Sequence, residues 1–132
     1  MAANEEKPEP PPKPVGGIGH IFAATRYSLA GLSHISSETA FRLEVIGAVI
    51  AFALFFLVGA QGTQYLILAL FFLWVFGMEA LNTAIEMIVD EISPHRSEFA
   101  RRTKDLGSFA CACSQLATGL YALTVIGGKF LG

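Results

Sequence analysis

Glu79, Asn82, Glu86 and Asp90 stand within one stretch, Glu79-Ala-Leu-Asn82-Thr83-Ala-Ile-Glu86-Met-Ile-Val-Asp90, which continues an apolar run beginning near Tyr65. At about 100° per residue in an α-helix, Glu86 falls roughly 20° to one side of Glu79 and Asp90 roughly 20° to the other. Asn82 lies about 60° from Glu79, so all four side chains share one sector. A carboxylate left at the bilayer centre costs roughly 2.5–3.5 kcal/mol on insertion scales. A chain that keeps several together uses them or pairs them. Carboxylates and an amide at a wet interface suit a hard divalent ion such as Mg2+, which keeps several waters and takes phosphates as further ligands. Glu86 is placed for that role. Glu38, in Ser36-Ser37-Glu38-Thr39, could supply a second carboxylate, and an acid favoured by a helix dipole explains it equally well. Arg42 and Glu44 read as interfacial residues or as partners of the acidic cluster. Lys104, with Arg101 and Arg102, forms a cationic patch suited to polyphosphate, although membrane anchoring alone explains the two arginines.

The composition says what carries these residues. The 132-residue chain is 53% hydrophobic and 15% charged, with a mean hydropathy of +0.54, which reads as one domain of a membrane class. Residues 1–16 form a Pro-rich, disordered or polyproline-like tail without the apolar segment of a secretory signal. From about 18 to 33, Ile18, Ile21, Phe22, Leu29 and Leu32 follow one helical face, too short and polar to cross a bilayer. This segment reads as an amphipathic helix on the membrane surface. Apolar segments follow at about 43–60, 65–90 and 106–130, each near or above the roughly 20 residues that span about 30 Å. The fold class expected is therefore all-α and integral to the membrane, with three transmembrane helices and a surface helix.

Charge gives an orientation. Gly59 to Gln64 is uncharged, whereas Arg96, Arg101, Arg102 and Lys104 fall in the connection between the second and third spans. Lys7, Lys13, Arg26 and Arg42 precede the first span, so positive-inside logic puts the N-terminus and the arginine-rich connection in the cytoplasm. With a rise of about 1.5 Å per residue from Tyr65, Glu79 lies roughly 21 Å and Glu86 roughly 31 Å along the helix. Glu79 is then in the lipid layer just below the cytoplasmic boundary, and Glu86 is at it. One end of the acidic face meets lipid headgroups and the other meets water-soluble ligands. Cys111 and Cys113, about 160° apart on a helix, cannot bond to each other and read as small buried residues. No phosphate-binding loop of the Gly-x-x-x-x-Gly-Lys-Ser/Thr type occurs, and the motif set of soluble protein kinases is absent. His20, His34 and His95 are scattered.

These residues resemble the bacterial diacylglycerol kinase family, small three-span enzymes that phosphorylate lipid alcohols with MgATP. The resemblance covers about Ile18 to the C-terminus. It rests on Glu79-x-Leu-Asn82-Thr83-Ala84-Ile85-Glu86-x-x-Val89-Asp90, on Ser37-Glu38-Thr39-Ala40-Phe41-Arg42-x-Glu44 and on Lys104-Asp105-Leu106-Gly107-Ser108. It implies that Glu79 is the general base on the lipid hydroxyl, with Asn82 beside it in catalysis. It likewise implies that Glu38 and Glu86 bind Mg2+ next to ATP, and that Tyr27, Lys104 and Asp105 contact the nucleotide. Asp90 would be a further active-site residue, and Glu79, Arg42 and Ser108 would meet the lipid. A homotrimer with sites shared between subunits, in the bacterial inner membrane, is implied as well; no nucleic-acid partner is expected. Two positions depart from the family: His20 stands where relatives often have arginine, and Pro94-His95-Arg96-Ser97 replaces a stretch that commonly holds Glu and His.

The function expected is ATP-dependent phosphorylation of diacylglycerol to phosphatidic acid by direct transfer. Undecaprenol is the alternative substrate, and the Lys104 to Ser108 stretch is closer to the diacylglycerol branch. A cation pathway through intramembrane acids would leave the long motif unexplained and predicts ion flux without ATP turnover. A purely structural role for the acids predicts that Glu79→Gln disrupts the oligomer.

Overall fold

A computed structural model describes residues 17–131. The tail expected over residues 1–16 lies outside the described residues. The chain forms four helices: α1 (Ile18–Ile35), α2 (Thr39–Leu57), α3 (Gly62–Ile92) and α4 (Glu98–Leu131). Among the described residues there is no strand. By length and composition, α2, α3 and α4 are each apolar enough to cross a membrane.

The helix ends follow from local chemistry. At the end of α2, the Ala60 N–H donates to the Phe55 carbonyl and the Gly59 N–H to the Phe56 carbonyl. That pair of bonds is a Schellman closure, and it requires the left-handed backbone that Gly59 adopts at φ 64°. Two residues later α3 opens with a reciprocal capping box between Gln61 and Gln64, its Gln61 N–H donating to Gln64 Oε1 at 2.8 Å. Consecutive spans are thereby joined by a turn without a charged residue.

At the other end, α4 starts eight residues before the apolar segment does. The expectation that Arg101, Arg102 and Lys104 lie in a connecting loop is corrected: all three are helical, and of the four cations only Arg96 remains in the loop. Ser97 Oγ accepts the Ala100 N–H at 3.0 Å, which caps the first turn. Glu98 then binds Arg101 and Arg102 at 2.9 and 2.7 Å, so i,i+3 and i,i+4 pairs carry a polar extension of the span. Hydropathy cannot register such a turn.

α3 and α4 form the main packed pair, α2 lies against both, and α1 meets α3. Phe55, Leu68 and Val125 are buried together near the α2–α3 turn. Phe71 stacks on Tyr121 at 5.3 Å, and the Tyr121 hydroxyl donates to the Gln64 carbonyl at 3.0 Å. Yet only 17–22% of the most apolar window of each long helix is buried within the chain. Apolar helix surface left uncovered within the chain suits a lipid surround or further protein. In α1 the apolar residues Ile18, Ile21, Phe22, Leu29 and Leu32 are all exposed, and Ile35 is buried.

Candidate active site

The end of the bundle where α2 begins, α3 ends and α4 begins carries the acids. Glu38 occupies the N-cap position of α2 in extended conformation, but its side chain makes no capping hydrogen bond. Its carboxylate is left to line a cavity of about 270 Å3 together with Glu79, Asn82, Thr83, Glu86, Ser108 and Cys111. Five of the residues singled out from sequence, Glu38, Glu79, Asn82, Glu86 and Ser108, thus meet in one space drawn from three helices. Burial falls along the α3 stripe toward the end of the helix. Glu79 and Asn82 are buried, at 6% and 9% exposure, Glu86 is intermediate, and Asp90 is exposed.

Asn82 links the two levels of this stripe. Its Nδ2 donates to Glu86 Oε1 at 3.1 Å, one helical turn away, while its Oδ1 is buried without a partner. Gly107 of α4 lies directly over that carboxamide: a Cβ at position 107 would collide with Asn82 Oδ1, and would lie 3.3 Å from Cγ and 3.9 Å from Cα. A side chain there would displace the Asn82 carboxamide or part the helices at the site. Gly107 falls inside the motif noted above, but linear spacing assigns it no partner.

The remaining residues take other places. Lys104 pairs with Asp90 at 2.6 Å, bridging α4 to α3. That pair borders a separate, larger cleft of about 540 Å3, lined also by Arg96 and Arg101. Asp105 is held by Arg101 at 2.7 Å. Arg42 Nε donates to the Ser36 carbonyl at 2.9 Å across the α1–α2 turn. Tyr27 lies exposed on α1, with the Arg26 guanidinium 5.8 Å from its ring centre. The reading of both cysteines as buried is corrected: Cys111 is buried beside the acids, whereas Cys113, on the opposite face as helical spacing demands, is exposed.

Among the described residues, no three or more His, Cys, Asp or Glu are grouped to hold a metal ion. A Mg2+ site needs less from the protein, since one or two carboxylates suffice when substrate phosphates and waters complete the shell. Glu38 and Glu86 line one cavity, and two carboxylates fit such an ion.

Membrane-length helices that close two buried polar residues and two further acids around a cavity at one end define an integral-membrane protein with a carboxylate-lined site. The pattern of prokaryotic diacylglycerol kinases matches residues 26–126. A diacylglycerol kinase of Sinorhizobium sp. is 49% identical over 110 residues, which cover 83% of this chain and 80% of the relative. The diacylglycerol kinase of Haemophilus influenzae is 40% identical over 93 residues, 70% of this chain and 79% of the relative. That of Escherichia coli K12 is 33% identical over 95 residues, 71% and 78% of the two chains. The chain belongs to the prokaryotic diacylglycerol kinase family and is a kinase.

Proposed function

We propose that this membrane kinase transfers the γ-phosphoryl group of ATP directly to diacylglycerol, forming phosphatidic acid at the cytoplasmic face of the bacterial inner membrane. The observation that carries the reading is the single cavity lined by Glu38, Glu79, Asn82, Glu86 and Ser108. Phosphoryl transfer asks mainly for positioning and neutralisation of charge, with little covalent work by the protein. Glu79 accepts the proton of the lipid hydroxyl as attack proceeds, at the buried end of the stripe where an alcohol arrives from the bilayer. Glu38 and Glu86, at the wetter end, hold Mg2+, which when bound neutralises the phosphate oxygens. Asn82 orients Glu86 through its 3.1 Å hydrogen bond. Lys104 and Arg101 face the adjacent cleft, where cations offset a triphosphate. Tyr27, Asp105 and Asp90 flank the nucleotide, and Arg42 and Ser108 the lipid. α1 lies along the interface on its exposed apolar face, the N-terminus is cytoplasmic, and the active assembly is a homotrimer that covers the apolar surfaces left open in one chain.

The test uses purified protein in mixed micelles with MgATP and either diacylglycerol or undecaprenol, with Glu79→Gln as control. Diacylglycerol should be phosphorylated and the control should be nearly inactive. Phosphorylation of undecaprenol alone overturns the substrate, and turnover of neither overturns the enzyme reading.

A further inference from the structure

A second acid is buried deeper in the bundle than the site just described. Glu44 of α2 is 9% exposed, and its Oε1 accepts a hydrogen bond from Gln115 Nε2 of α4 at 2.8 Å, across 71 residues of sequence. Its Oε2 is buried with no partner at all. A pair that served only to join two helices would satisfy both oxygens, because an unpaired buried polar atom costs about 1–3 kcal/mol. Instead, the pair stands on an open groove of about 350 Å3 whose other walls are apolar apart from Thr118 and include the small residues Gly47, Ala51, Gly119 and Ala122. Small residues on both helices leave room for a chain-like apolar ligand, and the carboxyl is the acidic group on that lining.

We infer that Gln115 is a positioning and specificity-determining residue: it fixes the Glu44 carboxyl so that Oε2 meets a polar group beside the reacting hydroxyl of the lipid. This rests on the lipid-kinase reading above and adds to it which alcohols are preferred. The levels along the bundle agree. The Phe41 and Phe76 rings meet at 5.2 Å, and Glu44 lies one turn deeper along α2 while Glu79 lies one turn shallower along α3. A lipid whose hydroxyl reaches Glu79 from the groove therefore passes its glyceryl portion by Glu44. Diacylglycerol has no hydroxyl besides the reacting one, so the bond it offers is to an ester oxygen, with a protonated Oε2 as donor. A long-chain alcohol without other polar groups offers no such acceptor and leaves Oε2 unpartnered. Without Gln115 the carboxyl loses its one protein partner and the direction in which it faces.

The experiment measures KM and kcat for diacylglycerol in mixed micelles, and the Ki of a long-chain primary alcohol as competing lipid. Wild type is compared with Gln115→Leu and with Gln115→Met, which keeps the side-chain length and loses the amide. In both variants KM for diacylglycerol should rise about tenfold relative to the Ki of the simple alcohol, the size expected of one hydrogen bond to an acid. Glu44→Leu should give the same shift, and adding Gln115→Leu to it should give no more. A KM and Ki that move together, a loss confined to kcat, or additive single effects would show a merely structural pair and overturn the inference. Wild-type protein inactive on diacylglycerol would instead overturn the kinase substrate assignment itself.

Discussion

Gly107→Ala tests whether the close approach of α4 to Asn82 organises the site. The added methyl would occupy the space of Asn82 Oδ1, and the Asn82 Cγ and Cα lie within 3.9 Å of it. Rotating the carboxamide relieves the overlap at the expense of its bond to Glu86, and separating the helices opens the cavity. Overpacking of this kind costs about 1–3 kcal/mol. The hydrogen bond from Asn82 Nδ2 to the Glu86 carboxylate is of the charged type, worth roughly 1.5–3 kcal/mol. At about 1.4 kcal/mol per factor of ten, its loss alone predicts a fall in turnover of about 10- to 100-fold. The assay is initial rate across a Mg2+ titration in mixed micelles, run on Gly107→Ala, Asn82→Ala and the double variant. Truncating Asn82 removes the atoms that the methyl would strike, so the two changes should be strongly non-additive. A Gly107→Ala enzyme within twofold of wild type at every Mg2+ concentration would refute the reasoning, and so would equal effects of the change in both Asn82 backgrounds.

Glu79→Gln should leave the oligomer intact by size-exclusion chromatography and lower kcat by at least 100-fold, the scale of a lost general base; a dissociated oligomer would favour a structural role. Glu86→Ala should raise sharply the Mg2+ concentration needed for half-maximal rate or abolish turnover, and an unchanged Mg2+ dependence would remove Glu86 from the metal site. Lys104→Met should raise the KM for ATP while shifting thermal stability by no more than about 1 kcal/mol, because its pairing with Asp90 is largely open to solvent. Ser97→Ala should weaken the first turn of α4 by about 1 kcal/mol, read as faster amide exchange at Ala100, and unchanged exchange would refute the cap.

Some of this site is local in origin and some is not. The stripe Glu79, Asn82, Glu86, Asp90 needs only the pitch of one helix, so its shared face is legible without any tertiary knowledge. The three long apolar segments are legible for the same kind of reason, since length and hydropathy are properties of a segment. The start of α4 was not, because a cap at Ser97 and ion pairs from Glu98 build polar turns that hydropathy ignores. Arg42 could equally have faced the acids or the preceding turn, and the geometry of the α1–α2 connection sends it to the Ser36 carbonyl.

By itself, then, the amino-acid sequence determined that the chain is helical, membrane-spanning and carries an acidic face on its central span, because periodicity and hydropathy act over a few turns. Its motifs also marked Glu38, Glu86 and Lys104 as members of one chemical set. Only the tertiary structure decided that Glu38 comes from an uncapped helix start into the same cavity as Glu79, and that Lys104 reaches Asp90 instead. It also decided that Gly107 sits over Asn82 and that Gln115 holds Glu44. Those relations join residues tens of positions apart. They depend on how closely and in what register α2, α3 and α4 meet, which no single helix encodes.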